Sequence, residues 1–224
     1  MQCSGLSGVD TGAVSPSSFP TPSPRSGHAP SVAVAGLLLA AGAGRRMGQP
    51  KGLLRTADGT PWVARAVTAL ADGGCAPILA VTGAAAEQVR GLVPDIAGVV
   101  VATDWDEGMG ASLRAGLRAL TERAPTAAAV IITLVDTPGV TSATVARLSE
   151  LAARDGPGVL ARSGYDGVPG HPVLIGREHW AGVIAVAKGD AGARGYLAGR
   201  KDVILVESAD VGSGEDVDTP DERH

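Results

Sequence analysis

The sequence predicts a three-layer α/β domain in which a mostly parallel sheet is covered by helices on both faces. From residue 32 onward, short apolar runs alternate with amphipathic stretches. Most of these runs are continuous stretches of Val, Ile and Leu, which is typical of strands that are buried on both sides. Amphipathic helices between such strands form the crossovers of a parallel sheet and lie on its two faces.

The elements can be placed in order along the chain. The predicted strands are Val32–Leu39, Ile78–Thr82, Gly98–Ala102, Ala128–Leu134, Gly158–Ala161, His171–Ile175 and Val203–Glu207. The predicted helices are Trp62–Ala71, Ala85–Leu92, Gly110–Glu122, Ser142–Arg154 and Arg194–Leu197. In the third helix, Leu113, Leu117 and Leu120 recur at the spacing of one helical face, which gives that helix a side to pack against the sheet.

Composition and charge exclude several classes of function. The 224 residues carry a net charge of −4 and contain no block of Lys or Arg, so a nucleic-acid partner is not expected. The longest apolar stretch, from Ser31 to Ala43, is shorter than the ~20 residues that a membrane span needs, so no membrane partner is expected either. Cys3 and Cys75 are too few for a disulfide framework or a cysteine-ligated zinc site, and they fit a reducing cytoplasm.

We expect residues 1–31 to form a disordered tail and residues 32–224 to form the domain. The first segment is rich in Ser, Pro and Gly and has no periodic apolar pattern. Such a segment cannot bury enough apolar surface to offset the entropy of ordering it. It also lacks the basic start and apolar centre of a secretory signal.

A glycine-rich loop with two basic residues directly follows the first predicted strand. Gly42, Gly44 and Gly48 precede Lys51, and Arg46 lies among them. Glycines let backbone N–H groups turn toward one anion, and the guanidinium and ammonium groups suit phosphate oxygens. The loop therefore predicts a triphosphate site, and the alternative is a tight strand-to-helix turn with two incidental surface cations.

Two better-known phosphate-binding motifs do not fit this loop. The dinucleotide-binding pattern G-x-G-x-x-G needs its third glycine one position earlier than Gly48. The P-loop pattern needs Ser or Thr after its lysine, but Gly52 follows Lys51.

The segment 39–51 resembles the signature of nucleotidyltransferases with a glycosyltransferase-A-like, Rossmann-related fold. Within them it is most similar to the molybdenum cofactor cytidylyltransferases and guanylyltransferases, whose pattern is roughly L-A-[AG]-G-x-S-x-R-M-G-x-x-K-x-L. This chain departs from that pattern at Gly44, where serine is common, and the resemblance extends over about Val34 to Glu222. The nucleotide-binding residues that it implies are Leu39, Ala40, Ala41, Gly42, Ala43, Gly44, Arg46, Lys51, Gly110 and Ser112.

Two acidic positions are candidate ligands of Mg²⁺. Asp136 follows a buried strand, at the sheet edge where α/β domains bind ligands, although an Asp–Thr–Pro turn or an N-cap would use the same residues. The resemblance implies a metal-binding aspartate there and makes Arg46, Lys51 and Asp136 the catalytic set. The family's Asp-Ile-Asp-Thr-Pro ending implies Asp218 as the second ligand, with Asp216 behind it. The alternative for that ending is an exposed acidic tail.

Two further segments are similar to the acceptor side of this family. The first matches Gly-x-x-Gly-x-Pro-Gly-His-Pro, and its alternative is a proline-fixed hairpin in which His171 caps a strand. The second is Gly-Asp-x-Gly-Ala-Arg, in which Asp190 can equally serve as an N-cap. The acceptor-binding residues implied by the resemblance are Gly167, Pro169, Gly170, His171 and Arg194.

The resemblance implies that an NMP group moves from an NTP to a phosphorylated acceptor with release of pyrophosphate and with Mg²⁺ as cofactor. Molybdopterin is the implied acceptor, and a molybdoenzyme or its maturation factor is a possible protein partner. The Leu-Ala-Ala-Gly form at 39–42 is closer to the cytidylyl branch, so CTP is favoured over GTP. Two alternatives stay open, namely an NAD(P)H-dependent reductase of a quinone-like or dye-like substrate and a non-catalytic cofactor chaperone.

Overall fold

The computed structural model describes Met1 and residues 32–218. Apart from Met1, the predicted tail over residues 1–31 therefore lies outside the described residues, as do the last six residues of the predicted domain. Within the described part, no helix is both long enough and apolar enough to cross a membrane.

Residues 32–218 form an α/β unit around a sheet of seven strands. The strands are β1 (Val34–Ala40), β2 (Ile78–Thr82), β3 (Ala97–Val101), β4 (Ala129–Leu134), β5 (Leu160–Tyr165), β6 (Val168–Gly176) and β7 (Ile204–Glu207). Their order across the sheet is β3-β2-β1-β4-β6-β5-β7. The pairs β1–β2, β1–β4, β2–β3 and β5–β7 are parallel, and only β6 runs antiparallel to its neighbours. The predicted fold class is confirmed.

Helices cover both faces of the sheet. They are α1 (Trp62–Asp72), α2 (Ala86–Arg90), α3 (Met109–Arg123), α4 (Ser142–Asp155), α5 (Trp180–Val186) and α6 (Arg194–Leu197). One buried cluster joins α1, α2 and α4 to one face of the sheet, and a second joins α3, α5 and α6 to the other. The leucines predicted to form the inner side of α3 are all buried in the second cluster.

Several predicted boundaries need correction, and one helix was not predicted. The strand predicted over Gly158–Ala161 begins later and continues to Tyr165, where a tight turn joins it to β6 as a hairpin. The strand predicted from His171 begins at Val168, because the edge of this hairpin accommodates a proline and a glycine. Helix α2 ends at Arg90, and α5 has no counterpart among the predicted helices.

Strands β1 and β4 bring the glycine-rich loop beside Asp136. They are parallel neighbours in register, with Leu39 opposite Leu134, so both chains leave the sheet at the same edge. The backbone N–H of Val135 donates to the carbonyl of Leu39 at 3.1 Å and extends this pairing beyond β4. Because strand carboxyl ends in such sheets face the ligand site, the fold places the loop and Asp136 where chemistry is expected.

Candidate active site

The loop after β1 folds tightly over the end of the strand. Gly44 has φ +59°, and a Cβ atom there would overlap the carbonyl oxygen of Gln49, so only glycine fits this position. A short 3-10 helix, Arg45–Met47, follows, and buried Met47 fastens it to the core. At Gly42, by contrast, no atom lies within 4 Å of an added Cβ, so the space above the loop is open.

Lys51 links the two predicted metal ligands. Its Nζ donates to Oδ2 of Asp136 at 2.6 Å and to Oδ1 of Asp218 at 2.6 Å. The side chains of Lys51 and Asp136 are 15% and 19% exposed, whereas that of Asp218 is 37% exposed. Arg46 reaches Oδ2 of Asp218 at 2.8 Å from the solvent side. The structure thus brings together all four residues predicted for catalysis and metal binding.

A backbone hydrogen bond returns the C-terminal segment to this site. The N–H of Val217 donates to the carbonyl of Asp136 at 2.8 Å, and the buried Val217 side chain joins the core. This contact holds the backbone of Val217 beside the end of β4, with Asp216 and Asp218 as its neighbours in the chain. The sequence spacing alone did not determine that placement.

The charges in this cluster change the pKa values of its members. Burial lowers the pKa of Lys51, but hydrogen bonds and charge from Asp136 and Asp218 outweigh it, so the net pKa is raised. The hydrogen bond from Lys51 lowers the pKa of Asp218. Burial, followed by the charges of Asp136 and Asp218, raises the pKa of Asp216. At neutral pH the ammonium of Lys51 and the carboxylate of Asp218 therefore both stay charged.

The donor chemistry at this pair fits a magnesium ion. Among residues 32–218, no group of three or more His, Cys, Asp or Glu side chains is arranged to hold a metal ion. Asp136 and Asp218 nevertheless converge on one cationic atom, Nζ of Lys51, with hard carboxylate oxygens. Mg²⁺ in nucleotide sites commonly takes one or two carboxylates together with phosphate oxygens and water. The two aspartates fit that pattern.

A cavity of about 200 Å³ lies over this cluster, at the carboxyl ends of β1 and β4. The predicted residues that line it are Leu39, Ala41, Gly42, Lys51, Ser112 and Asp136. Ala40 is buried at the end of β1, and Ala43 and Gly44 belong to the loop beside the cavity. Gly110 is buried against the backbone of Lys188, where a Cβ would come within 2.6 Å of its nitrogen, so it permits close packing of α3.

A second cavity, of about 240 Å³, adjoins the first. Both are lined by Met109, Leu134 and Asp190, which therefore mark their junction. The predicted acceptor residues that line the second cavity are Pro169, Gly170, His171 and Arg194. We call these two spaces the nucleotide pocket and the acceptor pocket.

His171 lines the acceptor pocket, and its Nδ1 is buried without a hydrogen-bond partner among the described residues. Burial lowers the pKa of His171 to about 4, against a hydrogen bond with the Ile132 backbone that acts in the opposite direction, and the charges of Arg162 and Arg194 lower it further. The imidazole is therefore neutral at physiological pH.

Gly167 lies away from both cavities, in the turn of the β5–β6 hairpin. With φ +79° it is at the tip of this turn, and its N–H donates to Oε2 of Glu207 at 3.1 Å. Glu207 also accepts from the N–H groups of Asp166, Ser208 and Ala209 and so ties the hairpin to the end of β7. Gly167 thus contributes to the shape of the acceptor side without lining it.

Three charged residues that line the acceptor pocket were not predicted to bind the acceptor, namely Arg162, Asp190 and Asp216. Arg162 belongs to β5, and nothing in its local pattern distinguishes it from a surface arginine. Asp190 was read as a possible N-cap, but the short 3-10 helix Gly189–Ala191 has no side-chain cap. The signal that could have identified Asp190 is an acidic residue that lies between glycines and does not cap a helix.

Two adjacent pockets at the carboxyl edge of a parallel sheet, with a carboxylate pair beside a glycine-rich loop, are the arrangement of a nucleotidyltransferase domain. Residues 36–203 match the model of the MobA-like NTP transferase domain. The chain belongs to this family, and its class is that of the NTP transferases.

Several known proteins are similar to this chain over most of its length. A nicotine blue oxidoreductase of Paenarthrobacter nicotinovorans is 36% identical over 207 residues, which cover 85% of this chain and 95% of that protein. The structure of Rv0371c from Mycobacterium tuberculosis H37Rv superimposes with a TM-score of 0.70 at 28% identity, covering 85% of this chain and 95% of the other. Rv0371c is also known as a complex with manganese, which matches at 27% identity with a TM-score of 0.63, covering 79% of this chain and 88% of that one.

A nucleotidyl transferase from Methanothermobacter thermautotroptrophicus shares the fold. It superimposes with a TM-score of 0.65 at 22% identity and covers 78% of this chain and 87% of its own. The manganese complex of the mycobacterial relative indicates that divalent metal binding occurs within this group of structures.

Proposed function

We propose that this protein transfers a nucleotidyl group from an NTP, with CTP favoured, to a phosphorylated acceptor and releases pyrophosphate. The observation that carries the proposal is the bridge from Lys51 to Asp136 and Asp218 at the rim of the nucleotide pocket. A triphosphate with a divalent cation needs carboxylates and basic groups at one place, and this rim offers both.

The residues divide into two tasks in this reaction. The loop N–H groups, Lys51 and Arg46 would hold the phosphates that leave as pyrophosphate, because charge-assisted hydrogen bonds are strong in a partly enclosed site. Asp136 and Asp218 would hold Mg²⁺, which when bound supplies charge neutralisation and orients the phosphates. The protein otherwise positions the reactants, so no acidic nucleophile or base is required of it.

The acceptor pocket adjoins the nucleotide pocket, as a two-substrate transfer requires. Molybdopterin is the favoured acceptor on the resemblance of the segments around His171 and Arg194 to molybdenum cofactor cytidylyltransferases. The Leu-Ala-Ala-Gly sequence at 39–42 favours CTP over GTP on the same ground. A molybdoenzyme or its maturation factor would then receive the product. The carboxylate pair favours catalysis over a chaperone role, because mere cofactor storage has no use for it.

A second candidate is an NAD(P)H-dependent reductase of a quinone-like or dye-like substrate. It is favoured by the 36% identity to a protein named nicotine blue oxidoreductase. Against it, the loop glycines are spaced differently from the dinucleotide-binding pattern, and two aspartates around one cation have no evident task in hydride transfer. The two candidates require different ligands in the same pockets, namely an NTP with a phosphorylated acceptor, or NAD(P)H with a quinone-like or dye-like substrate.

Parallel assays of the intact protein distinguish the candidates. Pyrophosphate release would be measured with CTP, GTP, ATP and UTP, each with Mg²⁺ and molybdopterin, and NADH or NADPH oxidation would be followed with a quinone and an indigoid dye. We expect acceptor-dependent pyrophosphate release that is fastest with CTP and is abolished by EDTA. Oxidation of NADH or NADPH without pyrophosphate release from any NTP would establish the reductase instead.

A further inference from the structure

Arg114 joins the segment before α3 to the segment after α5. It lies on α3, and its side chain is only 17% exposed. Its Nη2 donates to Oδ2 of Asp104 and to Oε2 of Glu107, each at 2.8 Å, and its Nη1 donates to the carbonyl oxygen of Ala187 at 2.9 Å. One guanidinium group therefore holds together two segments that are distant in the chain.

These two segments meet where the nucleotide pocket adjoins the acceptor pocket. Gly108 lines the nucleotide pocket, and Met109 and Asp190 line both pockets. Arg114 itself lines neither of them. Any effect of Arg114 on a ligand is therefore transmitted through the two segments that it holds.

The two segments pack backbone against backbone. Gly108 has φ +108°, and a Cβ atom there would lie 2.6 Å from the carbonyl carbon of Gly189. A Cβ atom at Gly110 would lie 2.6 Å from the backbone nitrogen of Lys188. Because close-packed groups transmit displacements to their neighbours, a movement of one segment acts directly on the other.

A guanidinium group is suited to hold both segments at once. Its nitrogens diverge in one rigid plane, so Nη2 serves the two carboxylates while Nη1 serves the carbonyl oxygen of Ala187. Hydrogen bonds from a charged donor are also stronger than those between neutral groups. The hydrogen bonds to Glu107 and then to Asp104 raise the pKa of Arg114, so the group stays charged.

We propose that Arg114 is a positioning residue that couples the two pockets. It holds Gly108 and Met109, on the nucleotide side, in a fixed relation to Asp190 on the acceptor side. Occupation of one pocket then favours the geometry that the other pocket needs, and this effect is reciprocal because it belongs to the binding equilibria. The inference rests on the proposed function only in naming the ligands of the two pockets.

A double-mutant cycle on the ligand-free full chain tests the coupling. The amide resonances of Gly189 and Gly192, followed by NMR in isotope-labelled protein, report on the acceptor-side segment. Asp104→Asn combined with Glu107→Gln should shift these resonances, because the two carboxylates act on that segment through Arg114. In an Arg114→Met background, the same two substitutions should leave the resonances of Gly189 and Gly192 unchanged.

Arg114→Lys separates the two arms of the guanidinium group. Lysine keeps a cation for the carboxylates, but its single nitrogen cannot also reach Ala187. The resonance of Gly108 should therefore stay close to that of the wild type, whereas the resonance of Gly189 should shift. A merely structural role would lower the Tm without this one-sided pattern. Arg118→Met, at an exposed position of α3, is the matched control and should leave both resonances unchanged.

Two results would overturn the inference. One is an equal effect of the Asp104 and Glu107 substitutions on Gly189 in the wild-type and Arg114→Met backgrounds, which would mean that the glycine contacts join the segments without Arg114. The other is an acceptor-side segment whose resonances do not respond to Arg114→Met. If Arg114→Met does not fold, the same cycle is run in the Arg114→Lys background, where the link to Ala187 is also lost.

Addition of CTP with Mg²⁺ distinguishes this inference from the proposed function. We expect CTP to shift the resonances of Gly108 and Gly192 in the wild type and only that of Gly108 in Arg114→Met. The expected coupling in the cycle, without a response to any NTP, would support the role of Arg114 and contradict nucleotidyl transfer. Pyrophosphate release without coupling in the cycle would contradict only the role of Arg114.

Discussion

The ammonium group of Lys51 lies 2.6 Å from Oδ2 of Asp136, although the two residues are 85 positions apart in the chain. The same ammonium is 2.6 Å from Asp218, so one cation holds two carboxylates from different segments together. In the proposed reaction Asp136 and Asp218 would hold Mg²⁺, which would supply positive charge there, and Lys51 would hold phosphate oxygens. Lys51 would thus have one role in the metal-free site and another in the site with its substrate.

Replacement of Lys51 by methionine separates these roles. Without the ammonium, Asp136 and Asp218 repel each other in metal-free protein, so we expect a lower Tm in EDTA and a larger rise in Tm on addition of Mg²⁺ than in the wild type. NTP binding should weaken by roughly 1.5–3 kcal/mol, as expected for a charge-assisted hydrogen bond. Thermal unfolding with and without Mg²⁺ and CTP titration measure both effects.

Lys201→Met is the control for this substitution, because Lys201 is exposed and lies outside both pockets. It should match the wild type in both measurements. A folded Lys51→Met protein with wild-type NTP affinity would mean that the loop is a structural turn and that Lys51 does not bind the triphosphate.

Asp136→Asn tests catalysis separately from nucleotide binding. The amide keeps the size of the carboxylate but lacks the negative charge that a hard divalent cation prefers. We expect a folded protein that binds NTP, no longer depends on Mg²⁺, and releases pyrophosphate about 10²–10³ times more slowly, since removal of one electrostatic element typically costs that much. Asp95→Asn, at an exposed position, is the control. Wild-type pyrophosphate release by Asp136→Asn would contradict the metal assignment.

Two glycines of the loop form a matched pair with different expectations. Gly44→Ala forces a side chain into the carbonyl of Gln49 at positive φ, so it should lower the Tm and weaken NTP binding together. Gly42→Ala meets no atom within 4 Å, so it should leave the Tm unchanged. If phosphates approach the backbone at Gly42, its methyl group should still weaken NTP binding. Equal NTP affinity in the wild type and Gly42→Ala would show that the nucleotide does not approach there.

Local patterns were sufficient to predict much of the sheet but not the contacts across it. Strands β1, β2 and β4 are continuous apolar runs whose burial on both faces follows from their composition alone. The hairpin of β5 and β6 was predicted too short, because Pro169 and Gly170 are local signals against a strand. Pairing within the hairpin, where Pro169 lies opposite Gly164 and Val168 opposite Tyr165, overrides these signals.

The residues of the candidate site likewise divide into those that local patterns predict and those that depend on contacts between distant segments. Arg46, Lys51 and Asp136 were predicted because a glycine-rich loop and a strand end are local features with a chemical meaning. That Lys51 bridges the two aspartates depends on a return of the chain 167 residues later, and no local pattern encodes it. Arg162 was missed for a related reason, since β5 and α6 line the same pocket only in the folded chain.

The buried imidazole of His171 predicts a specific pH dependence of stability. In the unfolded chain this group has its ordinary pKa of 6.5, whereas burial lowers the folded pKa to about 4. Between these values the unfolded state binds more protons, so the free energy of unfolding decreases as the pH falls. The difference between 6.5 and about 4 corresponds to roughly 3 kcal/mol, fully lost only below pH 4. Asp216 acts in the opposite direction, because its raised pKa lets the folded state take up a proton first.

Denaturant unfolding of the wild type and of His171→Asn from pH 7.5 to 4 measures this contribution. Asparagine keeps a polar group in the acceptor pocket but does not titrate in this range, so the variant should lose less stability than the wild type between pH 6.5 and 4. The control is His179→Asn, because His179 lies outside the pocket, where its ring bonds Tyr196 and the carbonyl of Gly158. Identical pH profiles for the wild type and His171→Asn would mean that the imidazole is solvated or paired in the folded protein. His171 would then not be a neutral hydrogen-bonding group of the acceptor pocket.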